Sequence, residues 1–496
     1  MSHLYCYSFE GNDWSREYPG QEEIRDYLMS VAHKYRLYNH IRFNSAVEAA
    51  QWDERTLTWT TTVRRTGGKE LEIGETYQIS SDFLVAATGQ LSRPKYPDIK
   101  DLEKFGGKIM HSARWDHSYD LSGKKVGILG TGASAAQIIP EIAKPCQSLT
   151  IFQRSPAWVV PRHDRPISQV RRNLYKYFPP ARVQYRKSIM DERESKFEPS
   201  FFPESSKHHH VKQLCHAHRL SQLPGEVNAE LRAKVTPDYP FSCKRIIVSD
   251  DLYPTMRQEH VNLETRAIKS AGPSGLELHD GESHDLDVLV CATGYHSTEF
   301  LADIKVIGSD GSPLHSSWGK TGASAYLGMT VPSLPNFGIL YGPGTNLAYN
   351  SLIIQIEAQS LYVSRLINAV LSAKRSGKTL RIEPKKDIAD RFNRDLQSKL
   401  SVSTFADTRC SSWFKDEKGR IINNWGGSAV EYQKRVECLD WSDFDVLGTA
   451  AEDVMKQGIL KWNRRKEEGA LSKVQLGIMG SGLLSLTLLG IWLRLA

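Results

Sequence analysis

Lys125-Val126-Gly127-Ile128-Leu129-Gly130-Thr131-Gly132-Ala133-Ser134-Ala135 decides the fold. Five residues of a buried strand run straight into G-x-G-x-x-A, and Ser134 to Ile142 continues as a helix. The motif alone is a weak signal, and the strand before it and helix after it raise it to a dinucleotide-binding turn. Gly130 permits the tight turn, Gly132 lets the backbone approach a pyrophosphate, and Ala135 lets the helix pack close to the sheet. The phosphates would then sit on the helix N-terminus, where free N–H groups and the helix dipole favour negative charge. The next strand, Leu149 to Phe152, ends at Gln153-Arg154-Ser155. An NAD site usually offers an acid there for the ribose 2′-hydroxyl. Arg154 is a guanidinium that suits a 2′-phosphate, so the reading is NADP.

Outward from this unit, Asp82 to Gly89 and Asp287 to Gly294 share one form: an acid, apolar residues, then Ala-Thr-Gly. Two such copies flanking the unit suggest one domain inserted into another, with the small residues letting the backbone cross or approach a ligand. Gln21 to Tyr35 and Leu352 to Lys374 read as helices. From Ser168 to about Pro237 the chain is rich in Arg, Lys, His and Tyr with helical periodicity and no buried strand, a helical insertion. Alternation of strands and helices makes the class α/β.

The composition bounds the rest. Over 496 residues, 40% are hydrophobic and 24% charged, with a net charge of +7. That excludes disorder as the main state. It also gives no basic run interleaved with aromatics for nucleic acid. Seven scattered cysteines with no C-x-x-C predict neither a disulfide scaffold nor a zinc ribbon, and fit a reducing compartment. His208-His209-His210 with Cys215, His216 and His218 lacks metal-ligand spacing and reads as a solvated face, so no metal is expected. Gly319-Lys320-Thr321 lacks the first glycine of a P-loop, and no G-x-S-x-G exists.

The first residues are not a signal peptide. At the other end, Val474 to Leu493 is a 20-residue stretch without a charge. It is long enough for a hydrocarbon core of about 30 Å. Lys461, Arg464, Arg465, Lys466 and Lys473 precede it. The positive-inside bias then predicts a cytosolic catalytic part, tail-anchored to a membrane such as the endoplasmic reticulum. A docked or interfacial helix is the other reading of the same stretch.

Phe105-Gly106-Gly107-Lys108-Ile109-Met110-His111-Ser112-Ala113-Arg114-Trp115-Asp116 matches F-x-G-x-x-x-H-x-x-x-W-[PD]. On this fingerprint the chain resembles the class I Baeyer–Villiger monooxygenases, whose flavin-containing and N-hydroxylating relatives carry Tyr or Phe where Trp115 stands. Phe152 to Pro156, Cys243-Lys244-Arg245 and Gly342-Pro343-Gly344 agree. The resemblance runs from about Ser2 to Lys434, in the manner of fungal secondary-metabolism members. It implies FAD and NADPH as cofactors and insertion of one oxygen from O2 beside the carbonyl of an apolar ketone, giving an ester or lactone. It implies that Arg245 is the catalytic arginine, holding an anion during oxygen transfer. Lys244 would meet the NADP 2′-phosphate, and Thr131, Ala133, Ser134, Ala136 and Gln137 would form the NADP site with Gly132, Ala135, Arg154 and Ser155. Tyr5 and Val47 would touch flavin. Phe105, Gly107, His111, Trp115 and Asp116 would act at the hinge between domains.

The resemblance implies two Rossmann-like domains, with the NADP domain inserted into the FAD domain, plus the helical insertion and a C-terminal apolar helix. The expected division is 1–115 and 295–450 for FAD, 116–167 and 237–294 for NADP, 168–236 for the insertion, 451–473 for a charged connector and 474–493 for the tail. The chain departs from the family at its start. The family's own first G-x-G-x-x-G unit for FAD, and the aspartate that pairs with the catalytic arginine, have no counterpart after Met1. The expectation is an N-terminally incomplete FAD domain, read as an incomplete gene model of a real enzyme. The rivals are a flavin-dependent hydroxylase of C, N or S, and an inactive truncated NADP-binding or scaffold protein.

Overall fold

The computed structural model describes residues 2–68 and 73–471. Its centre is a five-stranded, all-parallel sheet in the order Val261–Glu264, Ser148–Phe152, Lys125–Leu129, Val288–Cys291, Lys108–His111. A parallel sheet is covered on both faces, so its strands are apolar throughout rather than alternating. Val126, Ile128, Leu149, Ile151, Val288 and Val290 are all fully buried in one cluster. Each such side chain contributes about 1.5–3 kcal/mol on burial. The helix Ala133–Ile142 leaves the 125–129 strand and lays Ala135, Ala136, Ile139 and Ile142 on this core. Alanine at 135 and 136 is what allows that close approach.

The chain around this sheet builds a second assembly. Ser45–Asp53, Thr58–Arg65 and Thr76–Ser81 form an antiparallel meander, and Lys305–Ile307 adds in parallel to the 45–53 strand. Leu84–Ala86 pairs in parallel with Phe337–Ile339. Trp52, Trp59, Phe300, Trp318, Phe337 and Ile339 pack beneath them. The helix Leu352–Arg375 buries Ile354, Tyr362, Val363, Leu366 and Val370 in the largest core.

Between residues 168 and 236 lie five helices: Gln169–Tyr177, Pro179–Glu194, Phe197–Phe201, Ser206–Gln222 and Ala229–Lys234. Within the expected charged connector, the described residues 451–471 make buried contacts. Glu467 is 4% exposed and accepts a hydrogen bond from Arg186 Nε at 2.6 Å, and Trp462 meets Tyr362 edge-on. A buried carboxylate needs such a partner, and charge count alone does not reveal it.

The apolar tail over 474–493 lies outside the described residues. Among the described residues no helix is long and apolar enough to cross a membrane, and the expected transmembrane span and membrane anchoring are corrected on that finding. Length and lack of charge are necessary for a span but not sufficient. Even the 24-residue helix Leu352–Arg375 carries Glu357, Arg365, Lys374 and Arg375 and is a core helix.

Candidate active site

The glycine-rich turn has the geometry its spacing requires. Gly130 sits at φ +104°, where a Cβ would also lie 2.9 Å from the Ala292 carbonyl oxygen. Only glycine takes that conformation without strain. Gly132 is the helix N-cap and gives no side-chain cap, so the first N–H groups stay available. A Cβ built on Gly132 would meet nothing within 4 Å, which leaves the backbone open to a ligand. Thr131 Oγ1 donates to the Ser155 carbonyl at 3.2 Å and ties this turn to the end of the neighbouring strand. Ala133 and Gln137 are exposed and Ser134 half-buried, with Gln137 Nε2 donating to the Ala133 carbonyl.

At that strand end the cations gather. Lys244 Nζ donates to Ser155 Oγ at 2.6 Å and lies 4.6 Å from the centre of the Tyr239 ring. Burial, and then the nearby Arg154 guanidinium, pull the Lys244 ammonium below its usual pKa. A cation held beside another cation is a site waiting for an anion. Arg154 itself is exposed.

Arg245 is exposed, and its charge is felt by the phenols of Tyr5 and Tyr341. Both phenols are pushed up by burial, and Arg245 opposes the shift in each. Tyr5 Oη donates to the Asn350 carbonyl at 3.3 Å. Tyr341 was not read from the sequence. It occupies the left-handed region at φ +55°, its N–H donates to Gln359 Oε1 at 2.7 Å, and its hydroxyl donates to Asn346 Oδ1 at 2.7 Å. Its one sequence signal is its place immediately before Gly342-Pro343-Gly344. Gln90, 7% exposed at the end of the first Ala-Thr-Gly segment, completes the group through a hydrogen bond to Tyr341. Val47 is 39% exposed at an irregularity in the 45–53 strand.

The two Ala-Thr-Gly segments lead into chains that cross side by side. Gly89 and Gly294 take φ values of +71° and +85°. Lys95 N donates to the Gly294 carbonyl at 2.8 Å, His296 N to the Arg93 carbonyl at 3.0 Å, and Thr293 Oγ1 to the Lys95 carbonyl. His111 ends its strand against this crossing, 1% exposed, with Tyr96 and Tyr295 around its ring. Its Nδ1 accepts from Ala113 N–H at 3.0 Å, and burial lowers its pKa, so the ring is neutral. Phe105 packs in the core beside Gly107, where a Cβ would stand 2.4 Å from the Asp287 carbonyl and 2.6 Å from the Phe105 ring. Trp115 is partly buried against the parallel-sheet core.

Asp116 accepts from Lys108 Nζ at 2.7 Å and from Ser118. The Lys108 bond first, then Ser118, bring its carboxyl from an ordinary 3.8 down to about 2. A depressed carboxyl stabilises the fold above its unfolded value and loses that share as pH falls through the folded one. Asp116→Asn should therefore lower Tm most above about pH 4, with the gap to the native chain closing toward pH 2; thermal melts across that range check it.

The described cysteines hold one disulfide, Cys243–Cys410, spanning 167 residues. No C-x-x-C or short spacing could announce it. In the histidine-rich helix, His208 Nδ1 meets the Pro199 carbonyl, His209 Nδ1 the Ser205 carbonyl, and His216 Nδ1 the Arg219 guanidinium.

The geometry has close counterparts. Residues 2–169 match the flavin-binding monooxygenase-like family. An FAD-binding monooxygenase of Aspergillus niger, ktnD, is 43% identical over 476 residues, covering 96% of this chain and 78% of that protein. A Baeyer–Villiger monooxygenase of Streptomyces coelicolor is 36% identical, covering 91% and 84%. Among solved structures, that of OTEMO complexed with FAD and NADP superposes with a TM-score of 0.75 at 26% identity, covering 90% of this chain and 89% of that one. The chain belongs to the flavin-binding monooxygenase family, among its FAD-binding, Baeyer–Villiger-type members.

Proposed function

We propose that this chain is an NADPH- and FAD-dependent monooxygenase that inserts one oxygen atom of O2 between the carbonyl carbon of an apolar ketone and its neighbour. The products are an ester or lactone, NADP⁺ and water, with the second oxygen atom leaving as water. The observation that carries this is the Lys244–Arg245 turn: two consecutive cations, one bonded to Ser155 beside Arg154, the other acting electrostatically on the phenols of Tyr5 and Tyr341.

The residues present fit NADP. The open backbone at Gly132 and the uncapped helix start suit the pyrophosphate. Lys244, Ser155 and Arg154 suit the 2′-phosphate, which would relieve the repulsion between the two cations. For FAD, the Arg245, Tyr5, Tyr341 and Gln90 group suits the polar edge of a flavin ring. Among the described residues the single G-x-G-x-x-A turn is taken by NADP, and no holder is assigned to the FAD pyrophosphate. Bound flavin supplies the two-electron chemistry and the activation of O2.

The protein's own part is positioning and electrostatics. Arg245 presents a fixed fork of N–H donors wherever negative charge gathers during oxygen transfer. Tyr5 and Tyr341 stay protonated because burial holds their phenols up, so they serve as donors rather than bases. His111, neutral and enclosed, holds the domain crossing and moves no proton. The ketone as substrate rests on relatives named Baeyer–Villiger monooxygenases, and the role in secondary metabolism on the resemblance to fungal members; both belong to this proposal.

The visible spectrum of the chain incubated with FAD tests the reading. A bound flavin band that NADPH bleaches without oxygen is expected. A colourless protein that binds NADPH and does not oxidise it would support a non-catalytic NADP-binding role instead.

A further inference from the structure

Resting on that reading of Lys244 and Arg245, we propose that the Cys243–Cys410 bond is a positioning brace for the turn that carries both cations. Cys243 immediately precedes Lys244, and its partner lies 167 residues further along the chain. Three observations meet there.

First, the turn is strained. Ser242 sits at φ +69°, in the left-handed region that a serine rarely takes. Such a residue persists only where its surroundings over-determine it. The backbone offers one bond of its own, Cys243 N to the Pro240 carbonyl at 3.3 Å, and this alone does not fix where the next two side chains point.

Second, the partner strand of chain is itself anchored. Lys415 Nζ donates to the Asp407 carbonyl at 2.6 Å, and Ser297 Oγ and Asn423 Nδ2 both donate to the Trp413 carbonyl. Arg409 holds Asp407 through two nitrogens and reaches back to the Asp238 carbonyl at 3.4 Å. The 407–415 loop is therefore a fixed point from which a covalent bond can hold the 240–245 turn.

Third, the bond is enclosed. Cys243 is 0% and Cys410 2% exposed, in a cluster with Trp158, Tyr239, Phe241 and the free thiol of Cys215. Tyr239 is also the ring beneath Lys244. Thiol–disulfide exchange needs an attacking thiolate to reach sulfur, and this wall denies it access. Burial pushes the Cys215 thiol up to about 12, so the neighbour is no nucleophile either. The brace closes during folding, before the wall is in place, when the two thiols give up two electrons and two protons to an oxidant such as a peroxide or a small disulfide.

The test uses the holoenzyme. Protein alkylated at lysis, then denatured and digested without reductant, should yield one cross-linked peptide pair containing Cys243 and Cys410; finding both residues alkylated overturns the proposal. The double variant Cys243→Ala/Cys410→Ala keeps small apolar groups in the cluster and removes only the bond. It should raise the KM for NADPH and lower the product formed per NADPH by about 10-fold, because a misplacement near 1 Å costs that much or more. The kcat for NADPH oxidation should change far less. Cys215→Ser, in the same cluster but unbonded, should lower Tm without moving that KM. A double variant with native KM and native product yield overturns the proposal. Lys244→Ala in the same assay separates the two ideas: unchanged NADPH affinity there removes the reading of the turn, whatever the peptide map shows.

Discussion

Replacing Arg245 with alanine is expected to cut ester or lactone formation by roughly 10²–10³-fold, the cost of removing one preorganised donor from a developing anion. The variant should still bind NADPH, because Lys244, Ser155 and Arg154 are untouched. It should also keep its fold, since Arg245 is exposed and lies outside every core cluster. NADPH consumption should therefore outlast product formation, and the ratio of the two is the quantity to measure. Arg245→Lys should recover only part of the loss, since an ammonium restores the charge but not the planar fork. A variant that makes product at the native rate would remove Arg245 from the chemistry.

The second large effect concerns coenzyme choice. Lys244→Ala combined with Arg154→Ala should weaken NADPH binding by about 10²- to 10⁴-fold. Charge-assisted hydrogen bonds to a phosphate are worth roughly 1.5–3 kcal/mol each. The weaker NADH site should be nearly unaffected, because the pyrophosphate is held by Gly132 and the helix start. The preference for NADPH then collapses rather than the whole affinity. Titration of both coenzymes against native and variant protein reads this directly. A parallel loss for NADH would mean that the two cations serve the pyrophosphate or the fold instead.

What the sequence made legible follows from what spacing can encode. The 125–129 strand and the turn after it were readable because a fully buried parallel strand is an apolar run, and because φ +104° at residue 130 demands glycine. Lys244 and Arg245 stood in a motif, and their different surroundings appear only in three dimensions. Tyr341 was illegible: its conformation is set by Gln359, from the long helix, and by Asn346. The Cys243–Cys410 pair was illegible because 167 residues separate its members. The burial of Glu467 beside Arg186 is not legible in a charged run, because the two are 281 residues apart.

The most direct test of the central claim is turnover of a cyclic or steroid-like ketone with NADPH, FAD and isotopically heavy O2, followed by mass spectrometry of the product. The account predicts an ester or lactone with one heavy oxygen at the bridging position and an unlabelled carbonyl. A labelled hydroxyl, N-oxide or S-oxide, or NADPH consumed with no labelled organic product, would contradict it.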